Sequence, residues 1–319
     1  MKFAFVFPGQ GSQSVGMLDA FSDCPVVRET LAHAADILEQ DIGALIAHGP
    51  ADALNLTLNT QPAMLTAAYA IYRAWRVAGG PEPAIVAGHS LGEYTALVAA
   101  GALAFDDALK LVRFRAQVMQ EAVPEGTGSM AAILGLDNQS VCTLCTANNA
   151  MSTVEAVNFN APMQTVIAGQ RASVETVCKL ALITGAQRAA PLPVSAPFHS
   201  SLLKPAANRL RDYLASVEIR APQIPVVNNI DAAIVSAPQE IRDALARQVA
   251  GPVRWVECVC RLVQEGATQI IECGPGKVLT GLTKRIDPAL GYASIHDPQT
   301  LDSTLLKLKT DSRQLLDRF

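Results

Sequence analysis

The chain has 319 residues, half of them hydrophobic, which is enough for one large core or two unequal ones. Only 17% are charged and the formal net charge is -4, so the composition offers no basic surface to a nucleic acid. The opening run to Phe7 is stopped by Pro8 and Gly9 before it reaches signal-peptide length, and the longest later apolar stretch, Ala96 to Phe105, falls short of the roughly 20 residues that cross a bilayer. Seven cysteines, an odd number without a secretory signal, are expected to be reduced thiols in a cytoplasmic protein.

Lys2 to Phe7 is predicted as a buried first strand. Thr60 is predicted to cap a helix that carries Pro62 in its first turn and stops at Gly79-Gly80. Ala84 to Gly88 is a short apolar strand, followed by a very tight turn and a helix from Glu93 to Ala100. Glu125-Gly126-Thr127-Gly128 breaks the pattern. Beyond it come a strand (Met130 to Leu136), a helix (Asn138 to Asn149), two strands (Val154 to Phe159 and Gln164 to Ala168), a helix with Val174, Val177, Leu180 and Ile183 on its apolar side, and a strand from Gln187 to Val194. That order, βαββαβ, is the ferredoxin-like arrangement. Pro191, Pro193 and Pro197 mark a stiff return, after which Ile224 to Asn229 and Gln269 to Cys273 read as strands.

The expected architecture is a large α/β, hydrolase-like domain with a parallel sheet, formed by residues 1–127 and 196–319 and interrupted by a small ferredoxin-like domain at 128–195. A ligand cleft is expected between the two. Cys142-x-x-Cys145 has metal or redox spacing, but no second pair faces it and its setting is helical, so it is read as structural and no metal site is expected. Cys258 and Cys260 are read as core or strand positions.

Gly88-His89-Ser90-Leu91-Gly92 matches G-x-S-x-G and lies in the strand-turn-helix setting that gives such a match meaning. The turn pushes the Ser90 hydroxyl clear of the backbone and points the Leu91 amide at any oxyanion that forms there. A serine capping a helix is the plain alternative. A serine nucleophile needs a base. Of the five histidines, His33 falls on a polar helix face, His48 and His296 adjoin turns, and His89 is the nucleophile's own neighbour. His199, after the Pro-rich return, remains as a base that reaches the cleft or as an ordinary surface histidine. Gly9-Gln10-Gly11-Ser12-Gln13 follows the first strand. It fails as a dinucleotide fingerprint at Ser14 and as a Walker motif at Met17, leaving a glycine-framed turn with amides that can face an anion.

Taken together, Phe7-Pro8-Gly9-Gln10-Gly11-Ser12-Gln13, Gly88-His89-Ser90-Leu91-Gly92-Glu93-Tyr94 and Gly274-Pro275-Gly276-Lys277 resemble the malonyl-CoA:acyl-carrier-protein transacylase family. The likeness runs from Lys2 to about Ile286 and includes Met119 to Gly128 and Val157-Asn158-Phe159-Asn160. The resemblance implies that Ser90 is acylated, that His199 is its base steadied by the main-chain carbonyl of Gln248, and that the Gln10 and Leu91 amides form the oxyanion hole. It implies that Arg115 grips the free carboxylate of malonate, that Asn160 and Gly88 line the pocket, and that Phe198 favours malonyl over methylmalonyl. Without it, Lys110, Arg113 and Arg115 would read as a solvated helix face. The implied partners are malonyl-CoA and an acyl carrier protein carrying phosphopantetheine, with no metal or redox cofactor. A serine hydrolase or thioesterase, a malonyl transferase of a malonate decarboxylase system and a non-catalytic scaffold are the competing readings. The hydrolase would usually add an acid behind the histidine, and the scaffold would be expected to lack Ser90, His199 or Arg115. Lys277, Lys284 and Arg285 form either a basic face for an acidic carrier or a solvated helix surface.

Overall fold

The computed structural model describes residues 2–124, 126–148, 152–194 and 196–316. In chain order its strands are β1 (Phe3–Phe7), β2 (Ile85–Gly88), β3 (Gly128–Leu134), β4 (Val154–Ala161), β5 (Gln164–Gln170), β6 (Arg188–Pro191), β7 (Val226–Val227), β8 (Gln269–Cys273) and β9 (Gly291–Ile295). They form a five-stranded sheet in the order β7-β2-β1-β8-β9, parallel at every pairing, and a four-stranded antiparallel sheet in the order β4-β5-β3-β6.

The parallel sheet is covered on both faces, as strands linked by helical crossovers require. β1 shows why its sequence is apolar throughout. Phe3, Phe5 and Phe7 point to one side, where Phe5 meets Trp75 and Tyr72 of the helix Thr57–Val77 edge to face. Ala4 and Val6 point to the other, among Trp255, Val259 and Leu262 of the helix Trp255–Gln264 and Leu279 and Leu282 of the helix Val278–Ile286. Phe7 lies beside Gly88 in the register, so β1 and β2 end together and deliver their following loops to one edge.

The antiparallel sheet carries the helices Asn138–Asn148 and Arg171–Thr184 on one face, over Ala131, Ile133, Val154 and Ile167. Its other face contributes Met130, Ala132, Val166 and Ala168 to the main core. The junction is stitched along β4. Val253 of the main body donates its N–H to Val157 O at 2.8 Å and accepts from Phe159 N at 2.9 Å.

Several sequence expectations need correction. The helix with Pro62 begins at Thr57, and Thr60 lies inside it with its hydroxyl on the carbonyls of Leu54 and Leu56. Leu56, in an extended conformation, is the break that precedes it. On the helix Arg171–Thr184 the buried positions are Val174, Val177 and Ala181, while Ile183 is 82% exposed. The stretch Ile224 to Asn229 forms a strand only at Val226–Val227, because the main chain then turns to other partners, Asn228 N to Ala233 O and Asn229 N to Glu93 Oε2. Cys258 and Cys260 sit on a helix, where a two-residue step leaves one buried and the other exposed. Glu125, Asn149 and Ser195 lie outside the described residues.

Candidate active site

The site forms where β1 and β2 end. His89 N donates to Phe7 O at 3.0 Å and Gly92 N to His89 O at 2.9 Å, folding the chain back at once into the helix Gly92–Ala99. The backbone is so tightly packed that a Cβ on Gly88 would lie 1.9 Å from the Gly92 carbonyl carbon, and one on Gly9 would lie 2.3 Å from His89 O. A Cβ on Gly92 would in turn lie 2.1 Å from Phe7 O, so Gly9 and Gly92 are each required by the other's loop and Gly88 by its own turn. Ser90 sits at φ 51, in the left-handed region. For a non-glycine residue that costs about 1–3 kcal/mol and persists only where the surroundings impose it.

The Ser90 Oγ lies 2.8 Å from His199 Nε2, and His199 Nδ1 lies 2.8 Å from Gln248 O. A carbonyl only accepts, so Nδ1 carries the proton and Nε2 is left to accept from the serine hydroxyl. Burial, and then the Arg115 charge, push His199 down to about 3, which keeps the ring neutral at ordinary pH. His199 is 5% exposed and also left-handed, at φ 66.

Arg115, on the helix Phe105–Glu121, is 1% exposed, which overturns the reading of a solvated face. Helical rotation of two residues separates it from half-buried Arg113, which bonds Gln40. Arg115 Nη1 donates to Gln61 Oε1 at 2.8 Å, and Nη2 donates to Gln248 Oε1 at 2.9 Å and Ser90 Oγ at 3.1 Å. Its guanidinium lies over the Tyr94 ring at 5.3 Å. All three acceptors are neutral, and its Nε has no partner among the described residues. A buried cation without a bonded carboxylate is a standing demand for an anion at this spot.

Around these groups is a cavity of about 100 Å³, walled by Gln10, Leu91, Met119 and Gln61 from the large body and by Met130, Asn158, Leu192 and Val194 from the antiparallel sheet and its return. Phe198 fills the side next to His199. Gln10 and Leu91 border the cavity, and neither main-chain N–H bonds a protein acceptor among the described residues. Gly88 and Asn160 stand behind the wall. Gly88 packs on Gly92, and Asn160 Oδ1 meets His89 Nε2 at 2.7 Å, so the β4 residue that reaches the cavity is Asn158.

Sequence reasoning missed Asn229 and the side-chain parts of Glu93, Gln61 and Gln248. Asn229 Oδ1 accepts from Ser90 N at 2.6 Å. Glu93 Oε2 accepts from Asn229 N and Gln248 Nε2, each at 2.8 Å, and burial raises its carboxyl to about 7. A carboxylate directly before the largely apolar run Tyr94 to Ala99 was the available signal for Glu93, and an asparagine just past a strand's carboxyl end was the signal for Asn229. Gln61 carries no such mark.

Residues 4–287 match the acyl transferase domain family. The chain is 50% identical over 305 residues to the malonyl CoA-acyl carrier protein transacylase of Escherichia coli K12, covering 95% of this chain and 99% of that one. Among solved structures, an acyl-carrier-protein S-malonyltransferase from Burkholderia pseudomallei 1710b is 70% identical, with a TM-score of 0.94 over 96% of this chain and 99% of the other. A malonyl-transacylase solved in complex with a holo type II PKS acyl-carrier protein is 49% identical, with a TM-score of 0.95 over 96% of this chain and 100% of the other. A serine–histidine pair and an unpaired buried arginine on this fold thus accompany full-length similarity, and the chain belongs to the malonyl CoA-acyl carrier protein transacylase family of acyl transferases.

Proposed function

We propose that the protein moves a malonyl group from malonyl-CoA to the phosphopantetheine thiol of an acyl carrier protein through a malonyl ester on Ser90, supplying fatty-acid or polyketide synthesis. The observation that carries this reading is Arg115, a buried cation bonded only to neutral acceptors, 3.1 Å from the Ser90 oxygen. A donor with a free carboxylate two carbons from its reacting carbonyl answers both groups at once.

In the proposed first half-reaction Ser90 Oγ attacks the thioester carbon while its proton passes to His199 Nε2. The Gln10 and Leu91 amides hold the oxyanion, and Gln248 O steadies the imidazolium through the Nδ1 proton. Collapse breaks the C–S bond, and the proton on His199 leaves with the coenzyme A sulfur. The second half runs in reverse. The carrier's thiol gives its proton to His199, its sulfur bonds the malonyl carbon, and the C–O bond to Ser90 breaks with return of the proton to Oγ. A carbonyl behind His199, where a serine hydrolase usually has an acid, supports a transferase over a hydrolase. A cytoplasmic setting fits the odd cysteine count, and no described helix is long and apolar enough to cross a membrane.

Intact mass measurement after brief exposure to malonyl-CoA tests the reading. One malonyl group is expected, on the peptide that contains Ser90, stable until an acyl carrier protein in its phosphopantetheine form is added. Label elsewhere, or transfer by Ser90→Ala, would overturn the assignment.

A further inference from the structure

The strained nucleophile turn has to be held by something, and one side chain reaches both of its ends. Asn229 follows β7, the neighbour of β2 in the sheet, and is fully buried. Its Oδ1 accepts from Ser90 N at 2.6 Å and its Nδ2 donates to Gly88 O at 2.7 Å. The turn therefore presents one donor and one acceptor to the same residue. Among side chains of this length only an amide satisfies both.

Asn229 is itself held. Its N–H donates to Glu93 Oε2 at 2.8 Å, and the same oxygen accepts from Gln248 Nε2, which also donates to Ser90 O at 3.1 Å. The Ser90 peptide groups are thus gripped on the N–H side by Asn229 and on the C=O side by Gln248, with Glu93 joining the two grips. Gln248 further carries the carbonyl that orients His199 and an oxygen that accepts from Arg115. The Ser90 amide is engaged by Asn229, whereas the amides of Gln10 and Leu91 bond no protein acceptor among the described residues.

We propose that Asn229, anchored by Glu93, is a positioning residue for catalysis: it holds Ser90 in its left-handed conformation so that the hydroxyl stays in line with His199. This rests on Ser90 being the nucleophile. Asn229 touches no reacting atom, so its loss should move the rate of acylation and leave binding of the donor intact. A misplacement of about 1 Å at a reacting group lowers a rate about a hundredfold.

The test is rapid-quench malonylation by malonyl-CoA, read by intact mass, for the wild type, Ser90→Ala, Asn229→Ala and Asn229→Asp. Asn229→Ala is expected to lower kcat about a hundredfold with KM for malonyl-CoA within about twofold. Asn229→Asp keeps the shape and the acceptor for Ser90 N but sets an oxygen against Gly88 O, so it should fall at least as far as Ala. Wild-type kcat in Asn229→Asp, or a loss in Asn229→Ala confined to KM, would overturn the proposal. A further measurement needs no variant. In the wild-type protein the Ser90 amide should exchange slowly with solvent by NMR, and exchange within the dead time would also overturn it. Malonyl transfer surviving in Ser90→Ala would instead overturn the nucleophile itself, whatever the Asn229 variants do.

Discussion

The two sheets treat polar groups differently. Around the carboxyl edge of the parallel sheet, Glu93, Arg115, His199, Asn229 and Gln248 are all buried and linked by hydrogen bonds. Among the described residues of the antiparallel sheet the buried polar ones are Asn158 and Thr165, and the core beneath its helices is Val, Ile, Ala and Leu136 with Cys145. The first sheet is organised to hold buried charged and polar groups in one hydrogen-bonded network. The second presents Met130 and Asn158, with Leu192 and Val194 just beyond its last strand, and it walls the cavity beside them. Changes near the first should therefore appear in rates, and changes in the second in stability or in the choice of acyl group.

The largest effect is expected from His199→Ala, which should slow acylation of Ser90 about 10²–10⁴-fold, the usual contribution of a positioned general base. A larger loss in folded His89→Ala would move the base to the other histidine. Arg115→Ala comes next. Truncating one side of a buried charge pair costs about 2–5 kcal/mol, so malonyl transfer should fall roughly thirty- to several-thousand-fold, with acetyl transfer spared. Arg115→Lys keeps the charge without the fork and should recover part of the activity. Equal losses for both donors would make Arg115 a structural residue and remove the basis for a malonyl donor.

The pH profile sharpens the same comparison. An ordinary histidine would lose its basic form below about 6.5. His199, held at about 3 by burial and then by Arg115, should keep single-turnover malonylation on a plateau well into the acid range. For stability the sign follows from that lowering. The folded ring resists a proton that the unfolded chain takes up, so His199 withdraws stability as pH falls below its unfolded value towards about 3. In Arg115→Ala the largest charge that lowers His199 is gone, and the acid limb should move towards neutral pH. An unmoved limb would separate the two residues electrostatically.

Smaller effects belong to the cavity wall and the second sheet. Phe198→Ser should raise the methylmalonyl-to-malonyl ratio modestly, since a methyl group in a pocket is worth about 1–3 kcal/mol. Ile167→Val, under the helices of the antiparallel sheet, should lower unfolding stability by about 0.5–1.5 kcal/mol in denaturant titration and leave kcat unchanged. A change in kcat there would mean that the small core also positions the chemistry.

What the sequence disclosed follows the same division. The βαββαβ order and the strand Gln269–Cys273 were legible because local apolar patterns and turn residues set them. Ser90 was legible because the tight turn leaves a glycine signature, and His199 because few histidines competed. Arg115 was ambiguous from spacing alone, since its burial depends on partners 25, 54 and 133 positions away. Asn229 left only its place at a strand's carboxyl end as a hint, for the same reason, since it lies 139 positions from the amide it holds. Thr60 misled because a threonine two residues before a proline looks like a helix start, whereas the proline here stands well inside the helix.

The stitching of β4 to Val253 has a further consequence. Asn158 is carried between two backbone bonds to the main body on one side and the β5 ladder on the other. That wall cannot swing outward without breaking both sets. If Ser90 carries the ester as proposed, the enclosure around it is bounded on this side by a wall already bonded to the main body. A change that loosens this wall is then expected to relax the fit of the acyl group and to admit water together, read as a higher ratio of hydrolysis to transfer.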